Sequence, residues 1–162
     1  MGRTIGRMRS ANAPEDLLLF RAVVEPARRA VAARTLDAAV GNRARSRANE
    51  ADLWALDDAA SGPEEEPVAV AATWPVGDRR RVRIAGFVVA PSLRRRGIGR
   101  RLIEDLADTM RARGVLALVA AIPSDDVAAI AVVQRAGLRP SYVERASPEH
   151  QGRDVVWFHL EL

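Results

Sequence analysis

Apolar residues along this chain fall into short runs separated by polar turns, and the spacing inside each run predicts alternating strands and helices. Residues 17–23 are bulky and of strand length. A helix is expected from Pro26, whose fixed φ suits a first turn, to a stop at Gly41-Asn42. Its core-facing positions read as Ala27, Ala30, Val31, the stem of Arg34 and Ala38. Residues 43–49 read as polar linker or short helix, and strands are expected at 51–56, 68–74 and 82–89. Turns at the acidic 61–67 and at 75–78 separate them, and Gly86 marks an expected bulge in the third. Ile98, Leu102, Leu106 and Met110 then recur at four-residue steps beside Ile103 and Ala107. This predicts a helix with Glu104, Asp105 and Asp108 on its wet side and Gly114 as its left-handed cap. A strand at 115–122 follows, then a helix at 125–136 with Ser124 as N-cap, and a last strand at 155–162.

The junction between the strand ending at Val89 and the helix carrying Leu102 has the chemistry of a phosphate site. It reads Pro91-Ser92-Leu93-Arg94-Arg95-Arg96-Gly97-Ile98-Gly99-Arg100-Arg101. Glycines let backbone amides close on a ligand, a helix N-terminus aims unsatisfied N–H groups at the same point, and guanidinium groups offer paired donors to phosphate oxygens. A P-loop requires Gly-Lys-Ser/Thr, whereas Arg100 and Arg101 follow Gly99; a Rossmann fingerprint requires a small residue where Leu102 stands. The bland counterpart is a solvated basic turn between a strand and a surface helix.

The pattern Arg94-x-x-Gly97-x-Gly99 after Val89-x-Pro91 resembles the pyrophosphate signature Q/R-x-x-G-x-G/A of the GNAT superfamily of N-acetyltransferases. The likeness extends through 115–122 and 125–136 to Gly137-Leu138, about half the chain. It implies an α/β (α+β) fold with a mixed, mostly antiparallel central sheet, strands four and five splayed, and helices on both faces. Acetyl-CoA is the implied co-substrate, with its pantetheine arm on the main chain of Phe87, Val88 and Val89. Its diphosphate would lie on the turn formed by Arg94, Arg95, Arg96, Gly97, Ile98, Gly99 and Arg100. Asp126 stands at the family's cofactor-side asparagine. Gly99→Glu, which would set bulk and negative charge against the diphosphate, is expected to abolish cofactor binding with the fold preserved.

Two positions depart from the family pattern. The residue aligned with the tyrosine that reprotonates the leaving thiolate is Val133, and the usual strand-four glutamate is Ala85. The catalytic base and acid are therefore unassigned, with Glu50, Glu144 and Tyr142 as weak candidates and Asp52, Glu149 and His150 behind them. The implied reaction is direct attack of a primary amine on the thioester, without an acyl-enzyme. The competing readings are a relative that uses another acyl group or lacks turnover, and a basic nucleic-acid-binding module.

Composition narrows these. The 162 residues suit one domain at 13–162 behind a basic tail at 1–12, and 48% apolar content suffices for a core. Cysteine is absent and histidine numbers two, so thiolate catalysis is excluded and no metal is expected. No run is apolar for long enough to span a bilayer, so no membrane partner is expected and a cytoplasmic location is. All 25 basic residues are arginine, for a net charge of +4, which suits an anionic ligand. Aromatics at 4% are too sparse for a base-stacking platform, which disfavours nucleic acid. The acceptor is expected to be a small-molecule or peptide amine. The last strand also suits a homodimer interface.

Overall fold

The computed structural model describes residues 18–40, 51–60, 62 and 64–162. The expected tail, Leu17, Gly41-Asn42, the segment 43–49, Glu50 and Ser61 lie outside the described residues. In chain order the elements are β1 (Leu18–Ala22), α1 (Pro26–Val40), β2 (Asp52–Asp58), β3 (Ala69–Val76), β4 (Arg81–Val89), α2 (Ile98–Ala112), β5 (Ala117–Pro123), α3 (Val127–Arg135), β6 (Arg139–Ser147) and β7 (Arg153–Glu161). One seven-stranded sheet in the order β1-β2-β3-β4-β5-β7-β6 joins them. Every pairing is antiparallel except β4 with β5, where α2 provides the crossover that parallel neighbours require. The expected mixed, mostly antiparallel sheet is what forms.

Alternation along the strands sorts the core to both faces of this sheet. On one face Leu102, Ile103 and Leu106 of α2 bury against Ile84, Leu118, Ala120 and Phe158. On the other, Ala32 and Leu36 of α1 cover Leu53, Val70, Ala72 and Val88. The α2 stripe is buried as its four-residue spacing predicts, and Gly114 takes φ 78° just beyond the helix.

The inward face of α1 differs from the expected one. Val31 is buried as expected, but Ala27, Ala30, Arg34 and Ala38 are exposed, and the helix turns Arg28, Ala32 and Leu36 inward in their place. Alanines carry too little apolar area to set a helix's rotation, while Leu36 and a buried ion pair do. Arg28, 5% exposed, donates through Nη2 to Oδ1 of Asp57, itself 1% exposed on β2. Arg28 also donates to the carbonyl of Glu65, and Arg21 Nε reaches Asp57 Oδ2 at 2.8 Å.

Two further expectations are corrected. Asp126, not Ser124, caps α3, its carboxylate accepting the Ala129 N–H at 3.1 Å. β6 is an unanticipated strand, and it forms the sheet edge beyond β7. The strand proposed as a dimer interface is thus internal, with β5 and β6 on its two edges. Among the described residues no helix is long and apolar enough to cross a membrane, and no cluster of potential metal ligands occurs.

Of the α2 acids, Asp105 is less wet than its position suggests. Burial raises its pKa above the ordinary 3.8, against the pull of Arg101, whose Nε lies 3.4 Å away without a well-formed hydrogen bond. An acid with a raised folded pKa contributes stability below its unfolded pKa and loses it as pH rises through the folded one. Asp105→Asn is therefore expected to match the parent near pH 3 and to exceed it in Tm increasingly above 3.8, as pH-dependent thermal melts would show.

Candidate active site

The central feature is a fork in the sheet. β4 and β5 pair from Arg81↔Ala117 to Ile84↔Ala120 and then part, although β4 continues to Val89 beside β3 and β5 continues to Pro123 beside β7. The ladder between β3 and β4 slips at the same level: Thr73 pairs Ile84 while Ala72 pairs Gly86, so Ala85 is the extra residue of a bulge. The bulge lies one residue before the expected Gly86.

That extra residue changes which main-chain groups face the gap. Arg80 offers its carbonyl to β5, whereas Ala90 donates its N–H to Val68 on the β3 side. Strand alternation then aims the main-chain groups of Phe87 and Val89 into the gap and those of Val88 at β3. Of the three anticipated contacts, two face the opening.

Above the fork the chain turns into α2. Pro91–Leu93 form a single 3-10 turn; Arg94 is extended and folds its Nε back onto the Val89 carbonyl at 3.2 Å. Arg95 and Gly97 both take left-handed φ, 63° and 78°. Such alternation turns successive N–H groups toward one concavity, and α2 opens onto it with no side chain capping its first amides. Arg94, Arg95, Arg96 and Arg100 are exposed around it. An uncapped, positively polarised helix end beside a parted strand edge suits an elongated molecule carrying a diphosphate.

Asp126 differs from the turn residues in that its carboxylate is already committed to capping α3. Gly99 points elsewhere too. A Cβ there would meet Val132 Cγ1 at 3.2 Å and Val89 Cγ2 at 3.4 Å, so a side chain would press on α3 and β4 rather than on the turn. This adds a packing effect at Gly99 to the charge effect expected of Gly99→Glu. Gly99→Ala is expected to lower stability by about 1 kcal/mol as an overpacking change. Val132→Ala in the same chain should restore most of it, as measured by denaturant titration.

The opposite side of the fork carries a cluster that the sequence reading did not assemble. Arg83, one residue before the last β4–β5 pair, lies over the rings of Trp74 and Trp157 at 5.4 and 4.8 Å. Its Nη2 pairs with Glu149 at 2.9 Å. Trp157 sits opposite Ala121, the first β5 residue beyond the fork, and stacks on Tyr142 at 5.9 Å. The indole N–H donates to Glu144 at 2.8 Å. That bond and one from Ser147 hold the Glu144 pKa below its ordinary 4.5. Ser147 Oγ and His150 Nδ1 lie 3.2 Å apart. Tyr142 and Glu144 thus come together beside the fork, Glu149 and His150 arrive on the 148–150 turn, and Asp52 opens β2 elsewhere, exposed. Val133 is wholly buried, and Ala85 occupies the bulge.

The comparisons agree with this geometry. Residues 19–138 match the model of the acetyltransferase (GNAT) family. A curated Salmonella typhimurium protein, [ribosomal protein bS18]-alanine N-acetyltransferase, is 35% identical over 69 residues, 42% of this chain. The match spans 47% of that relative, about half its length. A Bacillus subtilis acetyltransferase solved in complex with CoA superposes with a TM-score of 0.69 at 16% identity, covering 90% of this chain and 99% of that one. A GNAT family acetyltransferase from Elizabethkingia anophelis with acetyl-CoA bound gives 0.69 at 13% identity, covering 91% and 100%. The forked sheet, the open helix end above it and a family match over most of the chain identify this protein as a member of the GNAT acetyltransferase family.

Proposed function

We propose that the protein is an acetyl-CoA-dependent N-acetyltransferase that acts on a primary amine within a ternary complex. The observation that carries this reading is the parting of β4 from β5 directly below the uncapped start of α2. The diphosphate of the donor would rest on the amides of Gly97 to Arg100 among the exposed arginines, and the pantetheine amides would bond the strand edge at Phe87 and at the N–H of Val89, whose carbonyl already accepts from Arg94. The curated relative is named for an alanine of ribosomal protein bS18, so peptide amines join small amines as acceptors to assay.

Positioning and polarisation supply the chemistry. The amine nitrogen attacks the thioester carbonyl carbon, a main-chain N–H at the fork bonds the oxygen that gains charge, and the C–S bond breaks to release the CoA thiolate. The nitrogen's proton passes to solvent or thiolate, since Val133 cannot donate one back and Ala85 cannot take one. Glu144, held ionised by Trp157, is a weak proton acceptor.

Without an acid or base on β4 or α3, the free amine is the reactive species. The kcat/KM should rise with pH up to the acceptor's own pKa, and that inflection should move when an acceptor of different basicity is used. An inflection that stays fixed across acceptors would point to an enzyme base. The reading as a whole is tested by thermal stabilisation with CoA followed by thiol release over a panel of amines. A chain that CoA leaves unstabilised would overturn it.

A further inference from the structure

A groove of about 970 Å³ runs from the fork down the sheet face that α1 leaves uncovered, lined among others by Trp74, Arg81, Arg83, Val119, Tyr142 and Trp157. Its walls are aromatic and its charge is positive. Arg83 is 12% exposed, clamped between two indoles, and spends one nitrogen on Glu149, which is 53% exposed on the 148–150 turn. The Nε–H of Arg83 is buried and has no acceptor among the described residues. A buried, unpaired guanidinium donor is costly and is normally satisfied by an oxygen. The indoles hold the planar fork still, so little freedom is lost when a second carboxylate docks on it.

We propose that this groove selects acceptors in which the reacting amine and a carboxylate belong to the same molecule, the carboxylate pairing with Arg83. The proposal rests on the acetyltransferase reading above and adds its acceptor class. A free amino acid and a peptide with an acidic residue near its N-terminus present the same chemistry. Glu149 acts as the resident competitor, a half-exposed partner that an incoming carboxylate shares or displaces.

The test uses matched pairs: amino acids against their amides, and short peptides starting Ala-Asp against Ala-Asn. Binding to the CoA-saturated chain is measured by calorimetry, and turnover by thiol release. In at least one pair the carboxylate should bind about tenfold or more tightly, as a charge-assisted pair predicts. Arg83→Gln should reduce that preference to near unity with CoA stabilisation unchanged, and preference confined to one kind of pair identifies the source. Glu149→Gln, which leaves the clamp intact, should strengthen carboxylate binding severalfold. Equal binding within every pair, preference that survives Arg83→Gln, or weaker carboxylate binding in Glu149→Gln would each overturn the proposal. Loss of CoA stabilisation in the parent chain would instead sink the enzyme reading, because the binding comparison is scored separately.

Discussion

Gly97→Asp is expected to weaken CoA binding by roughly 100-fold while leaving the circular dichroism of the chain unchanged, and Gly97→Asn is expected to weaken it far less. Gly97 takes φ 78° at the mouth of α2, and a Cβ there would meet no atom within 4 Å. Asparagine and aspartate tolerate the left-handed region better than other side chains, so both should be accommodated with similar strain. They differ in charge. A unit charge about 5 Å from another interacts by about 3 kcal/mol at an effective dielectric near 20, which corresponds to the stated factor. Asp126 shows the principle within the same molecule, where a carboxylate at the start of α3 occupies the Ala129 amide. Calorimetry with CoA settles the matter. Equal losses in the two variants would make the effect one of shape, and undiminished affinity in Gly97→Asp would remove the diphosphate from this turn.

Asp57→Ala is expected to cost about 3–5 kcal/mol of folding stability, because it breaks a buried ion pair by removing the carboxylate that faces Arg28. Arg28 is 5% exposed, and besides Asp57 it donates to the carbonyls of Gly62 and Glu65, which are polar but uncharged. Replacing both partners by apolar residues, Arg28→Met with Asp57→Leu, should return the chain close to parental stability, since it removes the need to desolvate two ions. Equilibrium urea unfolding of the three chains measures this. A loss below about 1 kcal/mol in Asp57→Ala would mean that water reaches Arg28 readily.

What could be read beforehand follows from how strongly each segment constrains itself. Ile98, Leu102, Leu106 and Met110 define a helix and its buried side without reference to the rest of the molecule, and all four are buried. The turn at Gly97 was legible because glycine and arginine carry their chemistry locally. β6 was not, since Arg139 to Ala146 lie exposed at a sheet edge apart from the half-buried Glu144, and no alternation marks them. The rotation of α1 was misread because Arg28 pairs with a residue 29 positions away. The Arg83 cluster had one local trace: Arg81 and Arg83 alternate with Val82 and Ile84, which places charge on one side of a strand that is apolar on the other. Its partners Trp74, Glu149 and Trp157 come from three other segments, and only the folded sheet unites them.

The slip at Ala85 has a consequence for how this strand tolerates change in length. Removing that single residue would bring β4 back into step with β3 and let the alternation that begins at Arg80 run unbroken to Val89, with Phe87 and Val89 still turned away from β3 and now in line to meet β5. The hydrogen-bonding groups now turned outward would be spent on the neighbouring strand, and the sheet could close like an ordinary one. A one-residue deletion here would thus leave a well-ordered protein whose donor channel has been sealed by a few added rungs between β4 and β5, with no side chain on the donor's path altered.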